Sequence, residues 1–398
     1  MVSFEDIYKE HEKEMDLCNF CKKYGDDTST RFLLIRSLDK KDLEVLLGDR
    51  GLSLSTRIED RMKELYGSNI SIPELKQYIV AQKKRIEEER YAKEGGLREI
   101  LCDYGTVQCG IRNDRVEDIV KLLVRDRSIK TIEQLDEKID DKILPKIRRY
   151  IKWSFYNQAS NDLIEHFFIS HPKVVPTLRR VPNIDFFIDI DGELIPFDLK
   201  ITHIADDFFD MFSAGLERLT ADAPDMFSAE DTKRSESTLI KDYYKSQKTL
   251  FNLPGYSRLS KKELLDILAS KGDDNTEKFI QNCYSNRNKL VMEIKSCLEA
   301  LEWWNYKFQG ERLFSNNNRM FVFLAYDDSF EDGGPIKGML DTIEDAVIDL
   351  LNNFSIDSIG DIRYYYEKTR SLEGAYVAKA SSTIITVSQM SNIIKNGN

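Results

Sequence analysis

Residues Val181 to Thr202 read VPNIDFFIDIDGELIPFDLKIT. Two runs rich in β-branched and aromatic residues flank Asp191-Gly192, a dipeptide that accepts the positive φ angles of a two-residue hairpin turn. With these two at the turn, Ile190 faces Glu193, Ile188 faces Ile195, Phe186 faces Phe197 and Ile184 faces Leu199. Side chains alternate along a strand, so these three apolar pairs, with Ile190 and Ile201, form one continuous face that is expected to be buried. A slip of one residue would mix the two faces, which makes the register well specified.

The opposite face carries the chemistry. Asp185 is expected across from Asp198, with Lys200 two residues further along the same strand. Like charges placed opposite one another cost ~0.2–1 kcal/mol when exposed and more when desolvated. A positive partner is therefore expected, and two readings stand open: the Lys200 ammonium, or a divalent cation. Oxygen-only ligands of this kind suit Mg2+ or Mn2+ far better than zinc.

Asp185, followed by Asp198-Leu199-Lys200 on the return strand, resembles the PD-(D/E)xK motif of restriction-endonuclease-like nucleases. Asp185 matches the first acidic residue, Asp198 the second and Lys200 the lysine. Ile184 stands where the motif name has proline, with Pro182 a little upstream. The resemblance implies an α/β protein with a restriction-endonuclease-like αβββαβ core and a central mixed sheet, preceded by an all-helical N-terminal region. It implies a Mg2+ cofactor, replaceable by Mn2+, held by Asp185, Asp198 and the Leu199 carbonyl. Lys200 would stabilise the attacking water, and hydrolysis would leave a 5′-phosphate with no His or Cys nucleophile. Within that superfamily the resemblance favours a site-specific type II restriction enzyme, a homodimer acting on double-stranded DNA and accompanied by a cognate DNA methyltransferase. A repair or junction-cleaving nuclease is an alternative, as is a non-catalytic DNA-binding protein on a degenerate nuclease fold.

Upstream of the hairpin, NQASNDLIEHFFIS (157–170) places Leu163, Ile164, Phe167 and Phe168 on one helical face, with Glu165 off it. Similar nucleases bring a glutamate from this helix into the metal site, and Glu165 matches that placement; an exposed surface glutamate is the other reading. His166 reads as a helix-surface or capping histidine. Pro176 in KVVPTLRRV marks an edge strand or bulge.

The 398 residues suggest two or three domains, and the 41% apolar and 32% charged fractions describe a globular chain. Residues 1–95 read as helical up to Gly95-Gly96, with possible DNA-binding or dimerisation roles. Within them KKDLEVLLGDRGLSLSTRIEDRMKELY is similar to a SAP-type DNA-binding motif or is a plain helical hairpin. Residues 96–153 form a second helical segment and 154–398 the nuclease domain, with a polar insertion at about 203–285. Order is expected to resume in one long helix, 288–310, capped by Gly310, then in the strand RMFVFLAYD, a helix over 335–354 and a final strand.

Two basic stretches stand out. Lys146, Arg148, Arg149 and Lys152 alternate with Tyr150 and Trp153, and Lys241 and Lys245 flank Tyr243 and Tyr244. Each reads either as a phosphate-contacting surface or as a solvated helix face. The net charge of −11 argues against a protein that coats nucleic acid without excluding a nuclease, since a carboxylate-built metal site is itself acidic. Cys18 and Cys21, with Cys102, Cys109 and His11, are candidate zinc ligands; buried free thiols are the simpler reading. No run of 18 apolar residues is present and the N-terminus is acidic, so no membrane span and a cytoplasmic location are expected.

Overall fold

The hairpin folds in the expected register. Phe186 pairs with Phe197, Ile188 with Ile195 and Ile190 with Glu193, through Asp191 (φ 52°) and Gly192 (φ 95°). These observations come from a computed structural model that describes residues 2–13, 17–89, 120–121, 123–126, 128–215, 235–257, 259–271, 273–308, 318–367 and 369–389.

Around the hairpin is a six-stranded mixed sheet. Its strands are β1 (Val174–Val181), β2 (Ile184–Ile190), β3 (Glu193–His203), β4 (Asn318–Tyr326), β5 (Gly360–Tyr366) and β6 (Gly374–Val387). They lie in the order β1-β2-β3-β4-β6-β5. Strands β1–β3 are antiparallel neighbours, β3–β4 and β4–β6 run parallel, and β5 pairs antiparallel with β6. The protein is therefore mixed α/β. Pro176 lies on edge strand β1, where the register shifts between Pro176 and Val181. An edge position spares proline the ladder bond it cannot donate.

The N-terminal helices are α1 (Phe4–Lys13), α2 (Leu17–Tyr24), α3 (Asp26–Arg36), α4 (Lys40–Asp49), α5 (Ile58–Gly67) and α6 (Ile72–Ala81). Capping boxes open α4 at Asp39 and α6 at Ser71, each satisfying backbone N–H groups that a helix start leaves unpaired. Phe32, Leu43, Leu65 and Ile79 of this layer share one core with Val175, Val181, Ile184, Phe187 and Leu194 of the sheet. The described part of 1–95 is thus a layer on the sheet. Gly95-Gly96 lies outside the described residues.

After α7 (Ile132–Lys138) and one π-helical turn, α8 runs unbroken over Leu144–Ser170. Pro145 sits in its first turn, directly after the π-helical turn through which α7 passes into α8 without a non-helical residue. No break falls at the expected boundary between 153 and 154. Helix α8 and α14 (Leu340–Asn352) cover one sheet face, burying Phe186, Ile188, Ile195, Phe197, Ile201, Met320 and Val322.

The opposite face is covered twice. The N-terminal helices lie over β1–β3, while α9 (Asp206–Ser213), α12 (Asp274–Lys295) and α13 (Leu298–Phe308) join Phe321, Phe323, Tyr364 and Ala380. Three expectations are corrected here. The region 203–285 is helical where described, with α9, α10 (Glu236–Phe251), α11 (Lys261–Lys271) and the start of α12. Residues Ile240, Tyr244, Leu264, Leu265 and Leu268 give α10 and α11 a core of their own. The single helix over 288–310 is two, broken at Ser296-Cys297 between α12 and α13; Gly310 lies outside the described residues. The third correction concerns Ile184, whose side chain joins the N-terminal core while Phe186 joins the α8 face. Strand β5 is an element the sequence pattern did not announce. Among the described residues no helix is long and apolar enough to cross a membrane.

Candidate active site

Alternation along β2 breaks at Asp185, between Ile184 on one core and Phe186 on the other. The β2–β3 ladder ends at Phe186–Phe197, so Asp185 and Asp198 do not form the expected cross-strand pair. Instead, the Asp185 carboxylate accepts the Leu199 N–H at 2.7 Å, and Thr177 Oγ1 donates to the Asp185 main-chain oxygen at 3.0 Å. A side chain thus replaces a main-chain acceptor where the strands part.

Asp198 lies on the opposite side of β3 from Leu199 and is next to Arg319 in the parallel β3–β4 pair. The Arg319 guanidinium meets the Asp198 carboxylate at 2.5 Å, with the arginine side chain 7% and the aspartate side chain 20% exposed. Arg319 is thus a positive partner at Asp198 that neither open reading had named, and both readings stay open beside it. Lys200 is half-buried two residues on, and its charge acts on Asp198.

Burial dominates the electrostatics. It pushes the Asp185 carboxyl up to about 7; the Leu199 N–H pulls it back, the Asp198 and Glu165 charges raise it, and Arg319 opposes them. Burial also raises Asp198, against the stabilising pull of Arg319 and Lys200. Glu165 on α8 thus stands near enough for its charge to be felt at Asp185, and the structure brings all four expected acidic and basic residues to one locality. His166 is buried, with Nε2 3.1 Å from Ser170 Oγ, and so is a core histidine and no surface group.

The donor chemistry fits Mg2+. Asp185, Asp198 and Glu165 are near enough for their charges to act on one another, and burial together with the two acidic neighbours raises the Asp185 carboxyl. Among the described residues no three His, Cys, Asp or Glu side chains are grouped as a metal cage. Mg2+ needs none, because it keeps several waters and takes one or two carboxylates plus substrate oxygens.

A further lysine lies near enough to Lys200 to feel its charge. Lys337, in the 3-10 turn Gly334–Gly338, is buried and donates to Asn157 Oδ1 at 3.1 Å and Asn161 Oδ1 at 3.0 Å. Asn157, Asn161 and Glu165 recur every fourth residue and so share a face of α8. Sequence reasoning missed both Arg319 and Lys337. The pairing of Arg319 with Asp198 depends on the β3–β4 register, and the nearness of Lys337 to Lys200 on a turn far downstream, neither of which leaves a local signal.

The expected basic surfaces fare unequally. Lys146, Arg148, Arg149 and Lys152 are all exposed on the first half of α8, next to exposed Ile151 and Phe155. Trp153 instead stacks on Tyr156 at 5.7 Å. Lys241 is half-buried on α10, and Lys245 is paired with Asp242 at 2.9 Å, one helical turn away. Of the candidate zinc ligands, Cys21 is half-buried, while Cys102, Cys109 and the Cys18 side chain lie outside the described residues. His11 packs edge-on to Phe20 and Phe32, and burial lowers it to about 4. A cleft of ≈ 420 Å³ lies at the turn end of the hairpin, lined by residues such as Cys21, Asp27, Pro196 and Lys379, and does not include the aspartates. No family model, no curated protein and no solved structure matches the chain.

Proposed function

We propose that this chain is a Mg2+-dependent DNA endonuclease of the PD-(D/E)xK kind, acting on double-stranded DNA as a site-specific, type II restriction-like enzyme. The observation that carries the reading is the convergence of Asp185, Asp198, Lys200 and Glu165 on one buried locality, with a carboxyl held up to about 7 by burial and its acidic neighbours. Asp185, Asp198 and the Leu199 carbonyl would hold the cation, with Glu165 as a further carboxylate. Bound there, Mg2+ supplies Lewis acidity toward water and the phosphoryl oxygens.

The protein's own groups set the geometry. The Leu199 N–H fixes one oxygen of Asp185, and Arg319 orients Asp198. The Lys200 ammonium stabilises negative charge as it gathers on oxygen in the transition state. The exposed cations of α8 offer contacts to backbone phosphates at a distance from the chemistry. Cleaved plasmid should carry 5′-phosphate ends that a ligase reseals without prior kinase treatment, and EDTA should abolish the cutting. Fragments that need a kinase before resealing would contradict the mechanism.

The Arg319–Asp198 pair also favours a second reading, a DNA-binding protein whose nuclease site is retired, because the arginine already satisfies one aspartate. That reading expects duplex binding that is insensitive to EDTA and accompanied by no cleavage.

A further inference from the structure

Lys337 is only 6% exposed, and a buried ammonium needs a reason. Its described contacts are two neutral amide oxygens, Asn157 Oδ1 and Asn161 Oδ1, which leave one of its three N–H donors for another acceptor. Among the described residues no carboxylate pairs with it directly, although Asp332 is near enough for its charge to be felt. The Lys200 charge is also felt there, and Asp332, just before the turn, lies 3.5 Å from His203 on the strand that carries Lys200, so a second, half-buried ammonium faces the same locality. Such a pair is costly alone and favourable around an anion.

The turn that carries Lys337 is held firmly. Tyr156 Oη donates to the Pro335 carbonyl at 2.7 Å. A Cβ at Gly333 would stand 2.4 Å from the Leu324 carbonyl oxygen, and one at Gly334 would stand 2.6 Å from the Trp153 ring. Glycine at both positions lets the turn close on β4 and α8. The ammonium is therefore placed by packing before any ligand arrives, which reduces the ordering cost of binding.

We infer that Lys337 and Lys200 form a two-ammonium subsite for a phosphate oxyanion, with Lys337 fixed by Asn157 and Asn161 as a second contact to the phosphate that is cleaved. The inference rests on the nuclease reading for its identification of that anion as a DNA phosphodiester. Lysine suits the role as a compact point charge with donors that rotate to meet tetrahedral oxygens.

The test uses the full chain and two probes: inorganic phosphate, followed by 31P NMR, and a mixed-sequence DNA duplex, followed by fluorescence anisotropy without divalent cation. Lys337→Gln keeps an amide donor for the asparagines while removing the charge. It should weaken phosphate binding about 10-fold or more, the loss expected for one charge-assisted hydrogen bond, and should weaken duplex binding in parallel. Lys200→Gln should do the same, while Lys63→Gln on α5, an exposed lysine paired with Glu5, should leave phosphate binding unchanged. A merely structural Lys337 would lower the melting temperature and leave phosphate affinity as it was in the folded variant. That result, or a wild-type protein that binds no phosphate, overturns the inference. If Lys337→Gln does not fold, wild-type phosphate affinity in Lys200→Gln overturns it equally. Phosphate binding that depends on both lysines in a protein that cuts no DNA would sustain the anion site and sink the nuclease reading.

Discussion

Arg319 holds Asp198 across the β3–β4 pair at 2.5 Å, and both side chains are largely withdrawn from water. The arginine is thus the internal counter-charge of the second aspartate of the motif. Removing it strands a buried carboxylate. Arg319→Met should destabilise the protein by roughly 3 kcal/mol, toward the low end for breaking a buried pair because Asp198 keeps some solvent contact. Adding Asp198→Asn should recover part of the loss. Urea unfolding of the single and double variants measures both, and additive effects would contradict the coupling.

Asp185 links the site to pH. Its folded-state carboxyl is raised to about 7 from its ordinary value of 3.8. A group raised in this way contributes stability below its unfolded value, and that contribution is lost as pH climbs through the folded one. The cation-free protein should therefore lose stability between about pH 4 and pH 7. Asp185→Asn should be the more stable form at pH 8, on the order of a few kcal/mol, and the advantage should vanish near pH 4. Thermal melts at the two pH values check the sign.

His11 acts in the opposite direction. Burial against Phe20 and Phe32 lowers it to about 4 from 6.5, so its contribution is present above its unfolded value and lost as pH falls. His11→Phe should flatten the stability profile between about pH 6.5 and 4. A profile unchanged from wild type would place the acid sensitivity elsewhere.

Phe197 is fully buried between Phe186 and Phe354, with ring centroids at 6.4 and 5.8 Å. Phe197→Ala should cost about 3–5 kcal/mol by leaving a cavity under the strand that carries Asp198 and Lys200. Denaturant unfolding gives the value, and a loss below ~1 kcal/mol would show that the site collapses around the gap.

The hairpin was legible because its information is local. A turn dipeptide and alternating apolar residues fix Phe186 against Phe197 without reference to the rest of the chain. Glu165 was legible only through the resemblance, since its helix pattern says merely that it lies off the apolar face. The opposition of Asp185 and Asp198 was not legible. The chain turns at Asn183 (φ 64°), Ile184 commits to the N-terminal helices, and the strands part before the aspartates meet. Arg319 and Lys337 reach the site through tertiary register, and α10 and α11 share a core of their own, which blurred their periodicity in a polar stretch.

The most direct measurement is cleavage of plasmid DNA by the purified protein in Mg2+, beside Asp198→Asn and Lys200→Ala variants shown by circular dichroism to be folded. Discrete fragments from the wild type, lost with EDTA and in both variants, are the expected result. A folded wild-type protein that leaves duplex, single-stranded and branched DNA intact in both Mg2+ and Mn2+ would contradict the proposal.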